Sequence, residues 1–162
     1  MPASGARTTG QPQPNSPAPI RIRPTPMTFP TPSNPLATHA SRLRGLLRAL
    51  HVAQPDIEAS AVISGDGLVV ASVLGQGIDA DRYAAMCAAL LALSERASKE
   101  AQRGTLQMVL VQGDQGAMLL VRAVDDQVLA VAAHPKANLG MIFNQARKTA
   151  AGLPSPHGVT AG

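Results

Sequence analysis

Residues 79–103 contain no Gly and no Pro and are dominated by Ala, Leu, Glu, Arg and Lys, helix formers that lose little side-chain freedom on ordering. Asp79 suits an N-cap, Asp81 the positive end of the helix dipole, and Lys99 and Arg103 its negative end. Gly104 offers a C-terminal stop. At 1.5 Å per residue the helix would be roughly 37 Å long, the width of a small domain. Tyr83, Met86, Cys87, Leu90 and Ser94 fall on one face with Leu91, Leu93 and Ala97 beside it, while Ala85, Ala88, Ala89 and Ala92 make a smooth second surface. A helix apolar over that much of its girth needs two partners. The expectation is a sheet on one side and another helix on the other.

The remaining elements supply that sheet. Asn34-Pro35 opens a first helix with Asn at the N-cap and Pro at N1. Leu36, Leu43, Leu46, Leu47 and Leu50 form its apolar stripe, and Arg42, Arg44 and Arg48 lie elsewhere on its surface. Residues 57–64 read as a strand with Ile57, Ala59, Ala61 and Ile63 on one face. Gly65-Asp66-Gly67 turns the chain, and 68–74 returns as a second strand. After Gly104 come strands over 105–112, 117–124 and 127–133, apolar on both sides and hence covered above and below. Asn138 caps a last helix over 139–151. The order α-β-β-α-β-β-β-α predicts an α+β, three-layer α/β/α sandwich with a five-stranded antiparallel sheet, the long helix on one face and two helices on the other.

Three domains of behaviour follow from composition. Residues 1–35 hold ten of the fourteen prolines and predict a disordered, polyproline-II-like tail, either a plain tether or a docking segment. Residues 36–152 are the folded domain, and 153–162 a flexible end. Translation could begin at Met1 or at Met27, and the sequence leaves both open. Arg7, Arg21 and Arg23 in the tail account for +3 of the net charge of +4, so the charge is weak support for nucleic-acid binding by the fold. Three aromatics and no Trp also disfavour a base-stacking platform. No apolar leader follows the N-terminus, and the longest apolar run, 84–93, is half a membrane span. The expectation is a cytoplasmic chain without membrane insertion.

No constellation for catalysis emerges. His39, His51, His134 and His157 have no metal-ligand spacing and no partners suggesting a triad. Cys87 lies in the apolar part of a helix and reads as a small hydrophobe rather than a nucleophile. Asp66, Asp114, Asp125 and Asp126 fall at predicted turns, where Asp serves turn chemistry. No P-loop and no dinucleotide fingerprint is present. The residues therefore assign no catalytic group, no metal and no cofactor.

The run Ser64-Gly65-Asp66-Gly67-Leu68-Val69-Val70-Ala71, the Ala-rich helix and Asn138-Leu139-Gly140-Met141-Ile142, in this order and at these distances, resemble the roadblock family over roughly 36–152. These are the dynein light chain roadblock proteins and their bacterial and archaeal relatives. The resemblance implies a homodimer in which the third strand and the long helix each meet their mate. On this chain that interface would hold Ala85, Met86, Ala89, Leu90, Leu93, Ala97, Leu106, Met108 and Leu110. It agrees with the physics of an apolar edge strand, which is an aggregation hazard if left open. The resemblance further implies a non-enzymatic regulator or scaffold of a small Ras-like GTPase, affecting hydrolysis or exchange while the GTPase brings its own catalytic groups. A self-assembling structural module and a small-molecule sensor domain are the alternatives.

Overall fold

The computed structural model describes residues 34–156, with isolated positions between 2 and 21. The chain divides into two units, Met1–Thr31 and Pro32–Gly162. Most of the proline-rich tail, and His157, lie outside the described residues.

The elements are α1 (Pro35–Ala53), β1 (Ile57–Ile63), β2 (Val69–Val73), α2 (Ala80–Glu100), β3 (Met108–Gly113), β4 (Gly116–Arg122), β5 (Val128–Ala133) and α3 (Leu139–Ala151). One antiparallel sheet runs β2-β1-β5-β4-β3. α1 and α3 seal one face around Leu43, Leu47, Val62, Leu129, Val131 and Ile142. α2 covers part of the other through Ala84, Cys87 and Leu91 against Ala61, Ile63, Leu120 and Ala130. The expected three-layer order is the observed one.

Helix starts follow their side-chain caps. The Asn34, Asp79 and Asn138 side chains accept from the backbone N–H of Leu36, Arg82 and Met141, each satisfying a donor that the first turn leaves free. The end of α2 departs from expectation. Gly104 was the expected stop, but the helix closes at Glu100. Gln102 takes φ 56°, and the N–H groups of Gln102 and Arg103 donate to the carbonyls of Lys99 and Ser98 at 3.0 and 2.8 Å. This is a Schellman cap with Gln in the place glycine usually takes. Ser98 Oγ then donates to the Gly104 carbonyl at 3.0 Å, fixing the chain as it leaves for β3.

Three further expectations need correction. β1 does not keep one face, because its register against β5 shifts between Ile57 and Ala59. Ile57 packs with α1 and α3, whereas Ala61 and Ile63 pack under α2; a bulge changes which side every later residue faces. Leu36 sits in the first turn of α1, beyond the sheet, and is exposed rather than part of the stripe. The end expected to be flexible from 153 is still packed there: Leu153 is buried and Gln127 Nε2 donates to the Pro154 carbonyl at 3.2 Å.

Two glycines are required by close approach. Gly67 (φ 85°) closes the β1–β2 turn against α2, where an added Cβ would meet Ala88 Cβ at 3.2 Å. At Gly116 (φ 132°) an added Cβ would lie 2.3 Å from the Ala133 carbonyl oxygen, closer than any packing tolerates. The paired strands at the β3–β4 turn therefore depend on its having no side chain.

Candidate protein interface

The placement of α2 leaves part of its sheet face open. The helix packs over β2 and β1, with its inward line made by Ala84, Cys87 and Leu91. The other half of that face belongs to β4 and β3. Register identifies what it carries: Val109 pairs with Leu120 and Val111 with Met118. Cross-strand partners share a face, and Leu120, Val109 and Met118 all lie on the α2 side.

Beside this open half runs a stripe of α2 that a single chain cannot bury. Met86, Leu90, Leu93 and Ala97 recur at i, i+4, i+7 and i+11, the seam spacing of two packed helices. Met86 is 62% and Leu93 63% exposed, and Ala85, Ala89 and Ala97 are exposed as well. Large side chains of this kind are ordinary when single and informative when contiguous. Tyr83, Met86, Leu90, Leu93 and Met118 line a groove of about 370 Å³ between the helix and the sheet.

β3 closes the sheet as an edge strand. Leu106 is partly buried on the α2 side, while Met108 packs with α1 and α3. Leu110, opposite Leu119, faces the same way as Met108 and is 42% exposed. The nine residues expected at the interface are thus divided. Six lie on α2, Leu106 lies on the α2 side of the sheet, and Met108 and Leu110 lie on the edge strand with their side chains toward the opposite face. Val109, Val111 and Met118, which sequence reasoning missed, present side chains on the open half. Residues 108–111 are apolar without alternation, so which of them face α2 is set by the register with β4.

The electrostatics of the face are quiet at its centre and charged at one end. Burial pushes the Tyr83 phenol far above its ordinary value, helped by the neighbouring Cys87, and burial likewise raises the Cys87 thiol. Both stay protonated at neutral pH, and Cys87, 1% exposed, is a core residue. At the far end Glu95 receives Lys99 at 3.1 Å and Arg122 from β4. The Lys99 hydrogen bond, opposed by desolvation and aided by the Arg122 charge, holds Glu95 below the usual carboxylate range. Arg122 also reaches Asp126 at 3.6 Å, tying α2 to the β4–β5 turn. His39 and His51 are on α1, His51 Nε2 lying 2.9 Å from Ser60 Oγ, and His134 is exposed after β5. Among the described residues no group of three metal-ligating side chains converges.

Comparison with known proteins gives the same frame. Two proteins of Methanocaldococcus jannaschii, MJ0310 and MJ1340, are each 38% identical over 86 residues, 53% of this chain and 75% of theirs. In fold the chain is similar to a Roadblock/LC7 domain from Streptomyces avermitilis, with TM-score 0.62 at 23% identity over 66% of this chain and 90% of that one. It is likewise similar to the gliding protein MglB of Thermus thermophilus, with TM-score 0.63 at 17% identity over 71% and 87%. The Roadblock/LC7 domain model matches residues 43–133, more than half of the sequence, and the chain belongs to that family.

Proposed function

We propose that the protein is a non-enzymatic, dimeric regulator or scaffold that binds a small Ras-like GTPase in the cytoplasm. The observation that carries the dimer is the seam of Met86, Leu90, Leu93 and Ala97 beside a half-covered sheet face and an open β3 edge. A second copy turned by a twofold axis offers what this surface lacks, another apolar helix and another edge strand. Family membership supports the GTPase as partner, because roadblock proteins are implied to act on such enzymes.

The test is size exclusion with light scattering, first alone and then with the small Ras-like GTPase encoded nearest to this gene, loaded with GDP or with a non-hydrolysable GTP analogue. Co-elution with the GTP form alone is the expected result, and single-turnover hydrolysis rates would then separate activation from scaffolding. A dimer indifferent to both nucleotide states would instead favour a self-assembling structural module.

A further inference from the structure

Charge in this domain is segregated by layer. α1 and α3 together carry Arg42, Arg44, Arg48, Arg147 and Lys148 and not one Asp or Glu. All five are exposed. The three ion pairs among the described residues join Glu95 or Asp126 to Lys99 or Arg122 and involve none of them. The asymmetry continues upstream, since residues 1–55 hold six arginines and no acid. Every carboxylate side chain lies from Asp56 onward, and α2 has Asp81, Glu95 and Glu100 against Arg82, Arg96 and Lys99. Solvated helix faces ordinarily intersperse both signs. A layer of one sign sets up a field that gathers anionic partners.

The same two helices expose aliphatic side chains that the core does not use. Val52 (82% exposed) is in the last turn of α1 and Met141 in the first turn of α3. They are spread across the layer rather than gathered in one pocket. A phosphodiester backbone has nothing to receive them. A protein partner would be expected to find a central anchor, and here there is none. A lipid interface accepts scattered aliphatic chains between basic side chains that reach its headgroups.

We propose that the α1/α3 layer docks peripherally on an anionic lipid surface, with the basic residues on the headgroups and Val52 and Met141 at the acyl boundary. No described helix is long and apolar enough to cross a membrane, so this is attachment and not insertion. The layer is on the sheet face opposite the α2 seam, and the inference stands independently of the proposed dimer.

The test is co-sedimentation of the full chain with phosphatidylcholine vesicles, plain or with about one third phosphatidylserine. Binding to the serine-containing vesicles alone, weakened by added salt, is expected. Arg48→Gln with Arg147→Gln, one exposed change on each helix, should weaken it by about tenfold or more, each basic group at such a surface being worth roughly fivefold. The pair should leave the circular-dichroism melt unchanged. No binding to the anionic vesicles would overturn the proposal. So would binding that survives the helix pair but disappears with Arg7→Gln, Arg21→Gln and Arg23→Gln, or tighter binding to double-stranded DNA at equal charge.

Discussion

Replacing Leu93 by Ala should disrupt self-association far more than folding. The side chain is 63% exposed in one chain, so about two thirds of its burial energy is still to be gained. Full burial of a leucine stabilises by about 1.5–3 kcal/mol, which leaves about 1–2 kcal/mol for each protomer. A twofold interface contains the residue twice, giving about 2–4 kcal/mol, or roughly 30- to 1000-fold in the dimer dissociation constant. The already covered third bounds the loss in the isolated fold at about 1 kcal/mol. Leu91, one turn-face away and buried, is the internal control: Leu91→Ala should cost the fold about 2–5 kcal/mol. Sedimentation equilibrium over a dilution series reads the first quantity, and urea unfolding at the most dilute point reads the second. An unchanged dissociation constant for Leu93→Ala would refute the seam. A loss of several kcal/mol in the fold would show that Leu93 is core.

Other consequences are smaller. Gln102→Gly should raise the unfolding free energy by about 1 kcal/mol, because it relieves a left-handed conformation at the end of α2; a loss in urea melts would contradict the cap. Burial holds His51 below its ordinary 6.5, so the unfolded chain binds the extra proton first. Stability therefore falls as pH drops below about 6.5 toward the folded value, and His51→Gln should flatten the urea-midpoint profile in that window. Removal of residues 1–33 should leave the melting temperature unaltered, and a large drop would place the tail against the domain.

Layer order, caps and turns were legible because local signals agreed with one another. Asn34-Pro35, Asp79 and Asn138 each set a helix start through one side-chain oxygen, and apolar runs on both faces marked covered strands. What escaped was phase and context. The bulge after Ile57 decides which side the rest of β1 faces, the β3–β4 register decides which side Val109 and Leu110 face, and both are set by strand pairing. Gln102 at a left-handed position was hidden because Gly104 lay two residues on. The Arg122–Glu95 pair joins residues far apart in sequence, and no spacing announces it. On α2 the apolar girth was visible, but only the packing over β1 and β2 shows that Cys87 is inside while Met86 and Leu93 are outside.

In the proposed dimer a second copy covers this face and pairs with β3. Arg122 N–H donates to the Gln107 carbonyl across β3 and β4, and antiparallel alternation then turns the N–H groups of Met108, Leu110 and Gln112 to the open edge. Residue-resolved amide hydrogen exchange of these three, above and below the dimer dissociation constant, reads that pairing. Slow exchange that is lost on dilution, while Val109 and Val111 stay protected, is the predicted result. Exchange at loop rates in a sample whose molar mass is twice the 16.7 kDa of the chain would put the dimer contact elsewhere.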